Sequence, residues 1–519
     1  MIQFRINGKI IETVEGKTIL EAASAAGIKI PAMCFLEDQD HFPSCMICVV
    51  HNAAERKLLP SCSTRAEASM DIYTDDEEVL EARKTALELL LSDHVGDCEA
   101  PCQTNCPAYM DIPLMNRLLV AGKINEALQI VKRDIALPAV LGRICPAPCE
   151  RACRRRDVDE SVSICHLKRY AADFDLSQPT PFQPGIARPN GRSIAIIGTG
   201  PAGLSAAYFL IQKGYRCVLY DKDPLPGGAL RYAVPDERLD KKVLDQEIGI
   251  IRKMGAEFIM QHEIKEDALP GLQAVFDCII IGTGESDAGF IGLQKRSRSF
   301  ITERNTHQTS LPGIFAIGSA IKPGRVAVRA VAHGKEAAYS VDQFLNNEVV
   351  RGENRMFNSR FGRLTSDEIP EYRAESVNGP RIITENLQGF SPEEMQKEAA
   401  RCMHCDCRKK DICKLRIYSE NYGAVQKRYF PAERKPVRKI FKNKPVVYEP
   451  EKCIKCGICV RITSKYKEKL GLTFIGKGFD VEVGVPFDQA DLNALEKTAA
   501  LCAENCPTGA LALKENDND

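Results

Sequence analysis

The cysteines carry the most specific chemical signal in this chain. There are 22 of them among 519 residues, and they fall into groups with C-x2-C and C-x3-C spacing. A disulfide framework is typical of small exported domains, whereas this chain is long and opens without the apolar core of a signal peptide. Closely spaced thiols on one loop favour bound metal in a reducing compartment. Iron–sulfur clusters are therefore expected, with zinc as the alternative at each group.

The first cysteine group lies near the N-terminus. Its members, in a C-x10-C-x2-C-x13-C spacing, are Cys34, Cys45, Cys48 and Cys62. Four thiolates with one close pair can hold two irons bridged by two sulfides, which predicts a [2Fe–2S] cluster. The preceding residues predict a hairpin over 2–6 and 9–14 and a helix over 18–26. This segment resembles the β-grasp ferredoxin domain that opens the large iron–sulfur subunit of complex I and of related hydrogenases.

The next groups flank an amphipathic helical stretch that is broken at Gly122 and Pro138. The cysteines are Cys98, Cys102, Cys106, Cys145, Cys149, Cys153 and Cys165. With His94 they make eight candidate ligands, the number that two [4Fe–4S] clusters require. His94-x3-Cys98 matches an H-x3-C pair that belongs to a His-ligated cluster in the complex I subunit. A hydrogen-bonded histidine without a metal is the equal alternative.

Three motifs around these cysteines read CQTNCPAYMDIPL, GRICPAPCERAC and SICHLKRYAAD. They resemble the N-terminal domain of the glutamate synthase small-subunit family, which dihydropyrimidine dehydrogenase shares. The resemblance implies that one cluster is held by Cys102, Cys106, Cys149 and Cys153. It implies that the other uses Cys98, Cys145 and some of His94 and Cys165.

A dinucleotide-binding pattern follows a Pro-rich linker over 178–191. An apolar strand over 194–197 leads into G-x-G-x-x-G and a helix, and a second strand ends at Asp221, the acid that accepts a ribose hydroxyl. The G-x-G-x-x-G motif is compatible with FAD or NAD. Later motifs resemble the same family, and this resemblance favours FAD. The candidate cofactor residues are Gly198, Gly200, Pro201, Ala202, Gly203, Asp221, Gly228, Ala229, Arg238, Gly318 and Ser319. The family has Gly-Asp where this chain has Gly318–Ser319, which removes a carboxylate from the flavin site.

A second departure concerns the nicotinamide half of that family. There, a complete second dinucleotide domain separates the strand that corresponds to Cys278–Ile281 from the segment that corresponds to Gly313–Ser319. In this chain only about thirty residues separate them, and no other strand–GxGxxG–helix unit is found. We therefore expect that the NAD(P)H domain has been lost and that electrons come from a partner.

Two more cysteine groups lie in the C-terminal third. Cys402, Cys405, Cys407 and Cys413 could hold zinc or a [4Fe–4S] cluster, and the cluster is favoured in this context. A bacterial ferredoxin motif then predicts one [4Fe–4S] cluster on Cys453, Cys456, Cys459 and Cys506. Its second cluster is missing, since Thr463, Glu496 and Ala499 stand at ligand positions. Cys502 is left over, and Cys217 and Cys278 are expected in the core.

The chain thus predicts a multidomain α+β and α/β protein. The expected domains are a β-grasp [2Fe–2S] domain over 1–75, a helical domain with two [4Fe–4S] clusters over 76–178, a Rossmann-like FAD domain over 192–350, a linker with a [4Fe–4S] segment over 351–445, and a ferredoxin-like domain over 446–519. Lys+Arg and Asp+Glu both number 70, so no overall field favours nucleic acid or an anionic membrane. No apolar run suits a transmembrane segment, and a cytoplasmic location is expected.

The expected function is electron transfer within a multisubunit oxidoreductase. One [2Fe–2S], four [4Fe–4S] clusters and FAD would connect an NADH-oxidising flavoprotein subunit to a hydrogenase, formate dehydrogenase or similar reductase, in a setting such as anaerobic metabolism. Electron bifurcation is one form this could take. A self-sufficient NAD(P)H-dependent oxidoreductase and a zinc-rich interaction module are the alternatives. No constellation for acid–base or nucleophilic catalysis was found, so no catalytic residue is assigned.

Overall fold

The computed structural model describes residues 1–519 except 38–41, 286–288, 325, 385–388, 430–432, 442–444, 487–494 and 515–519. The chain divides into two units. The first unit comprises Met1–Glu99, Met356–Ala374 and Cys405–Asp519, and the second comprises Ala100–Arg355 and Glu375–His404. Each unit is built from more than one stretch of chain, so contacts that are distant in sequence determine both.

The N-terminal part of the first unit is a five-stranded sheet covered by a helix. Its elements are β1 (Ile2–Ile6), β2 (Lys9–Thr13), α1 (Ile19–Ala25), β3 (Val49–Asn52), β4 (Lys57–Pro60) and β5 (Asp71–Tyr73), in the strand order β2-β1-β5-β3-β4. Thr18 and Glu21 form a capping box that starts α1. Phe4, Ile6 and Ile11 are buried in the same core as α1. The predicted hairpin and helix are confirmed, and α2 (Glu77–Asp93) follows the sheet.

The second unit begins with a layer of short helices. They are α3 (Pro101–Asn105), α4 (Ile112–Val120), α5 (Ile124–Asp134), α6 (Pro138–Ile144), α7 (Pro148–Arg151) and α8 (Ile164–Leu176). The predicted breaks are confirmed: Gly122 turns between α4 and α5 with a φ of 73°, and Pro138 opens α6. Helices α6 and α8 pack together, as do α4 and α5, which brings cysteines far apart in sequence to one place.

A parallel five-stranded sheet forms the rest of the second unit. Its elements are β6 (Ser193–Ile197), α9 (Pro201–Gln212), β7 (Arg216–Tyr220), α10 (Ala229–Tyr232), α11 (Lys241–Lys253), β8 (Glu257–Ile259), α12 (Leu269–Gln273), β9 (Cys278–Ile281), β12 (Ile314–Ala316) and α13 (Ala327–Leu345), with the strand order β12-β9-β6-β7-β8. Between β9 and β12, the described residues form only the two-stranded β10 (Lys295–Arg296) and β11 (Ser299–Phe300). In that part of the chain the structure shows no second dinucleotide fold.

The remaining elements belong to both units. They are α14 (Ile369–Arg373), α15 (Pro392–Ala399), α16 (Lys414–Asn421), β13 (Val446–Tyr448), α17 (Ile458–Lys465), β14 (Thr473–Ile475), β15 (Glu482–Gly484), α18 (Ala499–Asn505) and β16 (Leu511–Leu513). β13 pairs with β16 and β14 pairs with β15, both antiparallel. Helix α15 lies in the second unit and the others in the first. Across the described residues, no helix combines the length and the apolar character that a membrane span needs.

Candidate functional site

The four N-terminal cysteines converge in the first unit. The sulfur atoms of Cys34 and Cys45 are 3.4 Å apart and those of Cys48 and Cys62 are 2.9 Å apart, well beyond the roughly 2.05 Å of a disulfide. All four thiols are buried. Met46, between the close pair, has a φ of 56°, which bends the loop tightly. The donor set of four buried, converging thiols fits a [2Fe–2S] cluster.

A second group of four thiols forms in the second unit. Cys145 and Cys149 both contact the thiol of Cys165, and Cys106 interacts with Cys145 and Cys149. The four come from the ends of α3 and α6, from α7 and from α8. The structure therefore groups Cys106 with Cys145, whereas the family resemblance assigned them to different clusters. The packing of α6 against α8 brings Cys145 and Cys165 together.

A buried cation sits among these four thiols. Lys168 lies one turn after Cys165 on α8 and is 3% exposed, and its Nζ is 4.0 Å from the Cys165 sulfur. Burial alone would lower the pKa of Lys168, but the surrounding thiolates raise it above its ordinary value. A positive charge here offsets part of the negative charge of a thiolate-ligated cluster.

Cys153 and Cys402 are neighbours in the same unit, although they are far apart in sequence. Two buried arginines hold their loops together. Arg155 donates to the carbonyl oxygen of Arg401 at 3.1 Å, and both guanidinium groups bind Asp159, at 2.6 and 2.9 Å. Hydrogen bonding to Arg155, with further help from Arg401, lowers the pKa of Asp159 to about 2.

The 402–413 cysteines are split between the two units. Cys402 belongs to the second unit, whereas Cys407 and Cys413 belong to the first, where the backbone N–H of Cys407 donates to the carbonyl oxygen of Cys98 at 3.1 Å. Burial raises the pKa of Cys413 to about 12, and the neighbouring Cys407 and Cys98 thiols add to the rise. The single site expected from the spacing of these four cysteines stays a prediction. Cys102 is buried in α3 and Cys405 is half-buried.

His94 ends α2, four residues before Cys98. Burial lowers its pKa to about 4, so the ring is neutral near pH 7. Its Nδ1 atom is buried and has no hydrogen-bond partner among the described residues. A neutral imidazole with an open nitrogen is the form of histidine that binds metals.

The C-terminal cysteines line one cavity in the first unit. Cys453, Cys456, Cys459 and Cys506 share its wall with Tyr448, Ile454, Ile458, Val483 and Leu511. Lys455 and Gly457 have φ values of 55° and 69°, which curl the ligand loop around the space, and the Lys455 N–H lies 3.3 Å from the Cys453 sulfur. A cavity walled by four thiols and apolar side chains fits a [4Fe–4S] cluster. A cluster is several ångströms across, and no described set of His, Cys, Asp or Glu closes around a single metal ion.

The positions of the missing ferredoxin cluster have local roles. Thr463 is buried, and its hydroxyl donates to Val460 and accepts from the Leu472 N–H at 3.0 and 3.1 Å. Ala499 is buried in the core, whereas Glu496 is exposed. The leftover Cys502 is fully buried beside Cys459.

The dinucleotide motif is a glycine cradle at the start of α9. A Cβ on Gly198 would lie 2.4 Å from the Gly282 oxygen, and one on Gly203 would lie 2.0 Å from the Gly198 oxygen. A Cβ on Gly200 would meet nothing within 4 Å, so this glycine faces open space at the helix N-terminus. A Cβ on Gly228 would lie 2.9 Å from the Cα of Gly200. These backbone approaches fit a bound pyrophosphate.

The other predicted cofactor residues surround this cradle unevenly. One carboxylate oxygen of Asp221 accepts from the N–H and the hydroxyl of Thr199 at 2.7 and 2.6 Å. Ser319, on the segment that begins at Gly318, donates to the Gly324 oxygen at 3.1 Å. Arg238 and Ala229 are exposed. Pro201 and Ala202 form the first turn of α9.

Comparison with known families supports both kinds of site. Residues 1–77 match the model of the 2Fe-2S iron-sulfur cluster binding domain. Residues 75–180 match dihydropyrimidine dehydrogenase domain II, 4Fe-4S cluster, and residues 196–255 match the NAD(P)-binding Rossmann-like domain. This chain therefore contains both iron–sulfur and dinucleotide-binding domains. The protein is a mixed α/β multidomain protein.

The curated relatives are oxidoreductases or their subunits. The chain is 34% identical over 260 residues to the beta subunit of the NADPH-Fe(3+) oxidoreductase of Geobacter sulfurreducens, covering 46% of this chain and 38% of that protein. It is 36% identical over 207 residues to the beta subunit of the NADP(+)-dependent formate dehydrogenase of Moorella thermoacetica, covering 36% and 29%. It is 34% identical over 200 residues to the glutamate synthase small chain of Bacillus subtilis, covering 36% and 40%. The chain spans less than half the length of these relatives.

Several charged residues that lie beside the candidate ligands were missed by reasoning from the sequence. Lys168, Arg155, Arg401 and Asp159 are charged residues of ordinary appearance, and only packing reveals that they are buried or shared. One signal was available: each of the first three lies within three residues of a predicted ligand. A cation close to a metal-binding cysteine therefore merits attention in such chains.

Proposed function

We propose that the chain is an electron-relay subunit of a multisubunit oxidoreductase. It would hold one [2Fe–2S] cluster, four [4Fe–4S] clusters and FAD. The observation that carries the proposal is one apolar core in the first unit that includes cysteines of three different sites: Cys34 and Cys45, Cys413, and Cys456. We infer that sites sharing one apolar core exchange electrons with one another.

The N-terminal and C-terminal sites are linked directly within that core. Cys34 is among the groups whose charge raises the pKa of Cys456, after burial. Arg461, two residues beyond Cys459, donates to the Cys34 carbonyl oxygen at 3.0 Å. This contact supports direct exchange between the [2Fe–2S] site and the C-terminal [4Fe–4S] site.

The proposed ligands are the nineteen predicted cysteines with His94. When bound, iron–sulfur clusters accept and release single electrons at potentials that depend on charge, hydrogen bonds and burial. In the second unit, Cys106, Cys145, Cys149 and Cys165 form one set, and Cys153 and Cys402, with Cys102, belong to another. The protein contributes buried thiols, N–H groups directed at sulfur, and the Lys168 charge.

The glycine cradle at the start of α9 is proposed to hold FAD. Gly198, Gly200 and Gly203 would approach its pyrophosphate, and Asp221 would face its ribose. FAD, when bound, exchanges electrons in pairs or singly. The relatives from Geobacter sulfurreducens and Moorella thermoacetica are beta subunits, which supports partner subunits for this chain. We propose an NADH-oxidising flavoprotein on one side and a hydrogenase, formate dehydrogenase or similar reductase on the other.

The test is reduction of the isolated full chain, prepared without oxygen. Iron, sulfide, zinc and flavin are measured first, with about eighteen irons per chain expected. Dithionite should bleach the cluster absorbance, whereas NADH and NADPH should leave it unchanged until a partner flavoprotein is added. Rapid bleaching by NADPH alone would replace the relay with a self-sufficient NAD(P)H oxidoreductase. A colourless, zinc-loaded chain would end both proposals.

A further inference from the structure

Cys98 interacts with cysteines on a segment some three hundred residues further along the chain. The N–H of Cys407 donates to the Cys98 oxygen, and the Cys98 and Cys407 thiols both act on Cys413. All three are buried, at 7%, 7% and 5% exposure. Three converging buried thiols are one ligand short of a [4Fe–4S] site.

Lys452 connects this trio to His94. The backbone of Lys452 contacts the His94 ring, and the neighbouring Val95 N–H donates to the Glu451 oxygen at 2.8 Å. The Lys452 ammonium pairs with Glu449 at 2.6 Å and interacts with the Cys407 thiolate. One buried residue therefore bonds the histidine through its backbone and interacts electrostatically with a thiol of the trio through its side chain.

The chain between His94 and Cys98 is fitted tightly against Lys452. A Cβ on Gly96 would lie 2.6 Å from the Lys452 Cε, so only glycine allows this approach without displacement. On the far side of the trio, a Cβ on Gly509 would lie 2.1 Å from the Cys407 sulfur. Two glycines without side chains thus leave room for the loops that carry the ligands.

The His94 ring has the arrangement of a metal ligand. One side faces the Lys452 backbone, and the buried Nδ1 has no partner among the described residues. Metal-binding histidines commonly use one nitrogen for a backbone carbonyl and the other for the metal. The unpartnered nitrogen is an independent observation beside the three thiols.

We propose that His94, Cys98, Cys407 and Cys413 hold one [4Fe–4S] cluster, with Nδ1 of His94 as its fourth ligand. The inference rests on the proposed relay function, because it assumes that iron–sulfur clusters are loaded. A neutral imidazole in place of a thiolate removes one negative charge, which raises the reduction potential of this cluster above that of the C-terminal cluster.

The first test asks whether a nitrogen of His94 binds a cluster. Full chain is labelled with 15N-histidine, reduced in steps, and examined by pulsed electron paramagnetic resonance. One cluster should show a nitrogen coupling, which disappears in His94→Cys while the iron content is retained. The matched control His262→Gln, at an exposed ring beside Tyr220, should keep the coupling. Full iron with no coupling in the wild type would overturn the inference and leave the relay intact, whereas a chain without iron would overturn the relay itself.

The second test examines the grouping. Cys98→Ser, Cys407→Ser and Cys413→Ser should each remove the same reduced-cluster signal. Cys402→Ser, on the same short motif, should remove a different signal that Cys153→Ser also removes. If the Cys402 and Cys407 variants lose the same signal, the four motif cysteines share one site and the inference is wrong. The signals of the remaining clusters report that each variant has folded.

Discussion

The C-terminal site and the sites of the second unit hold thiols in opposite ways. Three of the four C-terminal ligands lie within seven residues, on a loop curled by left-handed residues inside an apolar cavity. The second unit assembles thiols from separate helices, and Cys153 meets Cys402 through a buried arginine network. A local site depends on backbone conformation, whereas a distant one depends on packing and on compensated buried charge. The two kinds should therefore fail under different mutations.

The largest effect is expected where the distant site depends on charge. Arg401→Met removes a 2% exposed guanidinium, leaves the buried Glu398 without its ion-pair partner and leaves the exposed Asp159 with Arg155 alone. Unfolding of the second unit should become easier by about 3–5 kcal/mol, measured by urea denaturation, with loss of the Cys153–Cys402 cluster. The control Arg216→Met, in an exposed pair with Glu257, should cost about 0–1 kcal/mol. Equal losses of unfolding free energy in the two variants would contradict the idea that the distant site depends on a compensated buried charge.

The next effect concerns the reduction potential of a cluster rather than the stability of the fold. Lys168→Met removes the cation among Cys106, Cys145, Cys149 and Cys165, so the reduced cluster loses a stabilising charge. Its potential should fall by on the order of 100 mV, measured by redox titration with paramagnetic resonance. Lys455→Met, beside the C-terminal ligands but bound to Asp93, should shift its own cluster by less than half as much. An unchanged potential in the Lys168 variant would refute charge compensation.

The local site should respond to backbone strain. Gly457 lies between Cys456 and Cys459 with a φ of 69°, where alanine costs about 1–2 kcal/mol. Gly457→Ala should lower the iron occupancy of the C-terminal site and leave the second-unit signals unchanged. Gly122→Ala, with a φ of 73° and no atom near its Cβ, carries the same strain far from any ligand. If Gly122→Ala also lowers the iron occupancy of the C-terminal site, backbone strain anywhere in the chain would have the same effect and the local explanation would be wrong.

The smallest effect is a pH dependence of stability at helix α6, which ends next to Cys145. Glu247 is buried and accepts the Ala139 and Val140 N–H groups at 2.8 and 2.9 Å, and burial raises its pKa to about 7. The folded state therefore holds a proton that the unfolded state releases near pH 4. Stability should fall by about 1 kcal/mol between pH 6 and 8, and Glu247→Gln should remove that slope in urea denaturation. If stability still falls with pH in the Glu247→Gln variant, another titrating group is responsible for the pH dependence.

Local elements could be predicted from sequence, and distant groupings could not. The hairpin, α1, the β6–α9 unit and the strand Cys278–Ile281 follow from short-range pattern and agree with the structure. Spacing also indicated which cysteines are candidate ligands. It could not indicate which of them share a site, because Cys106 joins Cys145 through the packing of α3, α6, α7 and α8. The partner of Cys153 is set by Arg155 and Arg401, whose burial has no periodic signature.

The arginine contact between the Cys153 and Cys402 loops has a consequence for biosynthesis. A ribosome makes Cys402 about 250 residues after Cys153, and at roughly 5–20 residues per second this takes at least about ten seconds. During that interval Cys153 has no Cys402 to meet, so the cell must keep it reduced and unloaded. The C-terminal ligand loop, in contrast, emerges almost at once. Insertion of a cluster that uses both Cys153 and Cys402 would therefore wait until Cys402 has been made, whereas the set of Cys106, Cys145, Cys149 and Cys165 is complete by residue 165.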